Sequence, residues 1–224
     1  MSRLLDDAAS DRLEVDVAVI SGYPFTFACH VNTNDVAINQ NCIWVGDKDV
    51  ANEMFGLQVR ASVAGDPVSA FAFSAASAFQ SAETTTGVTV NTWHAIAGVY
   101  TNATDRDALI DGGSKGSNTT SSTPSGFDRT AMGRAGDISP GGHVSGQLSW
   151  GAVWNVVLTD AELAALSRGA NPFAFRPASR VFLAPLHGNE SPEPDYSSSQ
   201  NNLVLSGTVK GGSNPSVELL ENYL

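Results

Sequence analysis

The acids of this chain are few, and three groups of them have spacings that could do chemistry. In Glu14-Val15-Asp16 the two carboxylates share a parity. On a strand that alternation points both to one face, the placement an acid–base pair needs to cleave a sugar bond. Asp105, Asp107 and Asp111 form a second set, and Asp47 and Asp49 flank another loop. Hard oxygen ligands at loop tips suit calcium, so Asp105, Asp107 and Asp111 are the expected metal ligands, although Asp111-Gly112 is also what a tight turn asks for. The chain has two cysteines, Cys29 and Cys42, too few for a disulfide framework. Cys29 shares its parity with Phe25, Phe27 and Val31 and reads as a small buried hydrophobe; whether it pairs with Cys42 the spacing leaves open. His30 and His94 add no zinc pattern to these thiols. There is no Gly-x-Ser-x-Gly elbow and no phosphate loop.

The elements that must hold these groups are mostly strands. From Val144 to Leu158 apolar residues recur at every second position: Val144, Leu148, Trp150, Ala152, Trp154, Val156 and Leu158. That period predicts a long strand with one buried and one wetter face. The period then changes. Thr159 and Glu162 form a Thr-x-x-Glu capping box, Leu163 and Leu166 line a helical face, and Gly169 with Pro172 stops the helix, which is expected over Thr159 to Ser167. Further strands are expected at 13–19, 25–32, 42–46, 54–62, 68–73, 92–100, 106–110, 115–120, 181–186 and 203–205, with a weakly patterned one before Thr86. Asp111-Gly112-Gly113 supplies the positive-φ residues of a hairpin. His187 to Asn202 reads as a polar loop, and the tail after it as turn-rich. A dozen short strands and one short helix argue for two packed sheets.

Only 16% of the residues are charged and the net charge is −11, which repels a phosphate backbone and excludes nucleic acid as a partner. No stretch is apolar enough to span a membrane. The first residues, rich in acids, do not read as a secretory signal, so the chain is expected to be made in the cytoplasm of its host. The whole of 1–224 is expected to form one domain, with 176–224 packing into or onto the same sandwich.

An ordered series of motifs resembles a known family. Phe25-Thr26-Phe27 leads to Trp93-His94 and its apolar strand. Leu109-Ile110-Asp111-Gly112, Met132-Gly133-Arg134, Val144-Ser145-Gly146 and Trp154-Asn155-Val156-Val157-Leu158-Thr159-Asp160-Ala161-Glu162-Leu163 follow in turn. The set, over roughly Leu13 to Leu166, resembles the laminin-G-like, concanavalin A-like lectin/glucanase jelly roll. His30 stands where that family usually has Trp. Val181 to Leu186, Asp195-Tyr196-Ser197 and Asn202 to Gly207 resemble the opening of such domains, here placed last.

The resemblance implies an all-β, concanavalin A-like β-sandwich of two antiparallel sheets with one short helix. It also implies a choice of functions. Glucan hydrolases of this superfamily carry a third acid beyond a Glu-x-Asp pair, and Ala18 stands there, so no enzyme activity is expected. Sugar binding by such folds uses an aromatic platform with polar loop groups, for which Tyr23, Trp44, Phe55 and Tyr100 are the candidates, with His94 on the opposite face of its strand. Trp93, Trp150 and Trp154 are expected in the core and Arg134 in a salt bridge. Members often bind calcium at the sandwich rim. Chains of this look also occur among tailed-phage genes. The expected role is therefore a non-catalytic virion surface protein, a capsid decoration or fibre component. It would be a homo-oligomer docked to a capsid or fibre protein, with capacity for a cell-surface glycan. A free-standing lectin-like adhesin is the alternative.

Overall fold

The computed structural model describes residues 2–187 and 191–212. Fifteen strands and one α-helix run in order: β1 (Ser2–Leu5), β2 (Arg12–Val15), β3 (Phe25–Thr33), β4 (Gln40–Gly46), β5 (Met54–Val59), β6 (Pro67–Ser74), β7 (Ala78–Gly87), β8 (His94–Asn102), β9 (Asp105–Ile110), β10 (Gly113–Asn118), β11 (Arg129–Met132), β12 (Gly146–Trp154), α1 (Asp160–Ser167), β13 (Arg180–Ala184), β14 (Val204–Ser206) and β15 (Lys210–Gly212). They build two antiparallel sheets, the all-β sandwich that the sequence predicts. The first sheet has the order β10-β9-β8-β3-β12-β1-β15, with β13 taking over from β1 beside the second half of β12. The second has the order β14-β2-β11-β4-β5-β6-β7. No helix among the described residues is long and apolar enough to cross a membrane.

Alternation along each strand fills the space between the sheets. Phe25, Phe27, Cys29 and Val31 of β3 meet Ile43, Val45, Phe55, Leu57 and Val59 of the opposite sheet. Both cysteines are buried and free. Cys42 points inward beside Ile43 because β4 breaks register between Asn41 and Ile43, the local re-aiming that a bulge produces.

The alternation read along 144–158 does not lie on one face. The pairing of β12 with β3 shifts register between Leu148 and Gly151. Leu148 and Val153 therefore belong to the inter-sheet core, whereas Ala152 and Trp154 belong to a second cluster with Leu158, Leu163 and Leu166. One extra residue on a strand exchanges its faces. The second cluster is the outer face of the first sheet, and α1 is the lid that covers it.

The capping box forms as the sequence predicts: Thr159 Oγ1 accepts from Glu162 N–H at 3.3 Å and the Glu162 carboxylate accepts from Thr159 N–H at 2.8 Å. Arg176 grips the same carboxylate at 2.7 Å and holds its pKa down to about 2. Replacing Thr159 by alanine is expected to lower stability by about 1 kcal/mol, measurable by urea denaturation.

Two expectations change, and one strand is not foreseen by the sequence. The strand expected over 13–19 ends at Val15, after which the chain turns toward the rim. Trp93 lies at a turn and joins no core cluster. β1 carries no apolar alternation to announce it; Arg3 is fully buried there and pairs with Glu193 at 2.5 Å. The C-terminal segment supplies β13 and β15 to the first sheet and β14 to the second. Within that segment 188–190 and the turn-rich tail at 213–224 lie outside the described residues.

Candidate functional site

The loops after β2 and β4 and the loop before β11 come together at one end of the second sheet, because Gly46 pairs with Arg129. Segments 18–21 and 124–127 form the walls of an open cleft of about 760 Å³ there. Gly126 has φ +78 and passes so close to the Asp47 carboxylate that a Cβ would stand 2.8 Å from it. The wall at 125 is tied back by its N–H to Glu53, at 2.8 Å.

Beside this cleft the carboxylates of Asp47, Asp49 and Asp128 lie within 4.8 Å of one another. Asp47 accepts from the N–H groups of Asp49 and Val50, an Asx turn that fixes its orientation. Asp128 accepts from Lys48 N–H at 2.8 Å and from Lys48 Nζ at 2.6 Å, and Nζ also reaches Asp49 at 3.2 Å. Burial works to raise the Asp128 pKa, but the Lys48 hydrogen bonds prevail and hold it below the ordinary carboxylate range. The hydrogen bond to Asp128, then that to Asp49, pushes the Lys48 ammonium up. The three acids supply hard oxygens at a solvent-facing rim, the donor set calcium takes. Lys48 Nζ occupies part of the same space, so a divalent ion would have to displace it.

The acids expected to bind metal do not converge. Asp105 and Asp111 stand at opposite ends of β9 and its turn, roughly 20 Å apart at the rise of a strand. Asp107 is taken by Lys115 Nζ at 2.8 Å and by the Ser117 hydroxyl. Asp111 accepts from Ala95 N–H at 3.0 Å and lies 2.8 Å from His94 Nδ1. His94 Nε2 accepts from Thr89 N–H at 2.9 Å, so the ring proton sits on Nδ1 and donates to Asp111. His94 and Asp111 thus lock a turn to a strand. Asp111 and Gly112 both have positive φ there.

The expected aromatic platforms are mostly inside. Trp44 is fully buried on the outer face of the second sheet, with Nε1 on Met54 Sδ and the backbone of Gly136 folded over its ring. Tyr100 is fully buried between the sheets, stacked on Phe25 at 4.3 Å, and its hydroxyl donates to Gly56 O at 2.6 Å. Burial pushes that phenol well up. Phe55 is buried against both. Tyr23 is half-buried, edge-on to Phe55, with its hydroxyl on Ser122 O. None of Trp44, Phe55 and Tyr100 offers a face to a ligand. Among the described residues the large exposed aromatics are Phe173, 37% exposed, and Tyr196, 50% exposed, both outside the strands.

The Glu14–Asp16 pair faces cations. Glu14 accepts from Arg134 at 2.6 Å and from Arg12 at 3.3 Å, and Asp16 from Arg129 at 2.7 Å. Arg134 is in the salt bridge expected of it. Asp128, the acid that completes the triad, comes from 80 residues downstream of Lys48; only the pairing of β4 with β11 brings it there.

A family model described as the concanavalin A-like lectin/glucanases superfamily matches residues 7–164. No curated protein matches the chain significantly. Among solved structures, a candidate carbohydrate binding protein from Bacteroides ovatus ATCC 8483 is 16% identical, with a TM-score of 0.64 over 96% of this chain and 60% of its own. The SAP-like pentraxin of Limulus polyphemus is 12% identical, with a TM-score of 0.67 over 96% and 97%. The CBM40 of the Ruminococcus gnavus IT-sialidase, bound to alpha2,3 sialyllactose, is 14% identical, with a TM-score of 0.58 over 75% and 98%. The present chain thus spans 60% of the length of the Bacteroides protein. At these identities the likeness is one of fold.

Proposed function

Because the chain belongs to the concanavalin A-like lectin/glucanases superfamily, we propose that it is a non-catalytic glycan-binding module displayed on a larger assembly, a virion surface above all, and that calcium assists at its rim. The observation that carries the glycan reading is the open cleft set against three converging carboxylates. A cleft of this size accommodates a sugar unit or two, and an ion held by Asp47, Asp49 and Asp128 would present vacant coordination positions to sugar hydroxyls. The names of the Bacteroides and Ruminococcus structures, both of carbohydrate-binding proteins, support the reading. The non-catalytic part is supported by Glu14 and Asp16, whose carboxylates are spent on Arg134, Arg12 and Arg129. Display on a particle is supported by the resemblance to phage chains and by the net charge of −11, which keeps a surface module soluble.

Calcium titration of the full chain followed by thermal shift, then a glycan array with and without calcium, tests this. Asp128→Asn is expected to weaken calcium binding by about tenfold or more. Lys48→Met is expected to strengthen it, because the ion then meets three carboxylates without a competing ammonium. Glycan binding indifferent to calcium and to both variants would remove the metal from the reading; no glycan binding at all would end it. Mass spectrometry of purified particles tests display: absence of the chain from them overturns that part.

A further inference from the structure

Phe173 and Tyr196 stand together at the surface, ring centroids 5.7 Å apart and nearly perpendicular. Large aromatics left in water forfeit burial worth kilocalories, so two of them side by side require an account. They are not loosely held. Phe173 sits in a short 3-10 turn, Pro172–Ala174, capped by Asn171 Oδ1, which accepts from Phe173 N–H at 2.9 Å. Tyr196 N–H donates to Leu183 O at 2.8 Å. The preceding Asp195 is buried and collects the N–H groups of Leu183, Ser197 and Asn201 and the Ser197 hydroxyl. The fold thus spends a saturated carboxylate on fixing the turn that presents an exposed tyrosine.

Arg180 lies against the Phe173 ring, 5.5 Å from its centroid, and its Nη1 donates to Pro172 O and Phe173 O. Its Nη2 donates to no described residue, and Nε is buried without a partner. No carboxylate among the described residues forms a salt bridge with it. In a chain of net charge −11, where the neighbouring Arg176 finds Glu162, the Arg180 guanidinium lies half-buried beside the exposed Phe173 ring. The buried Asp195 carboxylate acts on it through space but is saturated by its own donors and forms no ion pair with it, which leaves the guanidinium charge-complementary to an outside anion.

The geometry points to a second sugar subsite, formed by Phe173, Tyr196 and Arg180, that takes a carboxylate-bearing pyranose such as a uronic acid residue. The apolar C–H face of the sugar would rest on one of the two rings while the other, nearly perpendicular, walls its edge, and the carboxylate would meet the guanidinium, a charge-assisted contact. The inference rests on the glycan reading above but uses residues outside the span 7–164 that the family model matches.

Calorimetric titration of the full chain with oligogalacturonates and hyaluronan fragments, against neutral malto- and cello-oligosaccharides, is the test. Acidic oligomers are expected to bind more tightly than neutral ones, with a preference that fades at high salt. Phe173→Ala and Tyr196→Ala are each expected to weaken binding tenfold or more. Arg180→Lys keeps the charge but not the planar fork, and is expected to lose most of the preference for acids. Circular dichroism checks that each variant is folded. Equal affinity for acidic and neutral oligomers, or unchanged affinity in folded Phe173→Ala and Tyr196→Ala, overturns the subsite. Binding that depends on Asp128 but not on Tyr196 overturns the subsite and keeps the rim reading, whereas no glycan binding on any arm overturns both.

Discussion

Replacing Glu193 by alanine is expected to cost the fold about 3–5 kcal/mol, the penalty for removing one member of a fully buried ion pair. Arg3 and Glu193 have no solvent-exposed side-chain surface. Both Nε and Nη2 of Arg3 donate to one Glu193 oxygen, and the other accepts from Leu186 N–H at 2.8 Å. Alanine leaves the guanidinium in the interior without its carboxylate and the Leu186 N–H without its acceptor, and both terms run the same way. Denaturation by urea should show a lower midpoint with an unchanged slope, because the change is in stability and not in the surface exposed. The double variant Arg3→Met, Glu193→Leu is expected to regain most of the loss, since an apolar pair of like volume avoids the desolvation that the ions bear. A Glu193→Ala protein of unaltered stability would show that the pair contributes nothing. The pair also ties the first strand to a loop 190 residues later. A protease fragment ending near Gly169 is therefore expected to unfold.

Acid should weaken the protein through His30. The ring is 7% exposed, 5.0 Å from the Trp150 ring, with Nε2 buried and unpartnered. Burial pushes its pKa from 6.5 down to about 4, against the pull of the Asp111 carboxylate and the Leu166 carbonyl. Asp111 is itself engaged by His94. Between these pH values the unfolded chain holds a proton on this residue that the folded chain does not. Stability is thus fully present above pH 6.5 and is lost as pH falls toward about 4; a shift of this size corresponds to about 3 kcal/mol. Asp137, whose carboxyl burial pushes up, works in the opposite direction, so the informative quantity is the difference between proteins. His30→Gln and His30→Leu are expected to flatten the stability–pH curve in this window, followed by urea midpoints at several pH values. Parallel curves for wild type and both variants would show that His30 does not titrate in this way.

The fold class was largely legible because it rests on periodicity. Residues 25–33 alternate with almost no exceptions, and 159–169 carries cap, apolar face and stop in order. What periodicity could not show is which face a strand presents after a bulge. Leu148 and Trp154 share a parity and end on opposite sides of β12. The site was harder for a related reason. In β4 both parities are apolar, so nothing local says that Trp44 lies under a loop. Asp105, Asp107 and Asp111 are close in sequence, but an extended strand separates what a helix or tight loop would gather. Asp128 joins Asp47 and Asp49 only through strand pairing. Phe173 and Tyr196 did carry a signal: each lies in a Pro-containing turn region where no strand would bury it. Arg3 gave none, since a buried cation in a four-residue strand looks like a surface residue until Glu193 is placed beside it.

The two sheets share an asymmetry of edges. β14 covers β2 in one sheet and β15 covers β1 in the other, and both covering strands are contributed by 204–212. During synthesis these emerge after all the other strands of the two sheets. Until they do, β1 and β2 offer unpaired backbone to any neighbouring nascent chain, and uncovered edges are where strands from different molecules join. A ribosome that stalls before residue 204 would therefore release a chain with nearly the whole core encoded and two adhesive borders. The order of translation makes the sandwich most vulnerable to clumping just before 204–212 emerge.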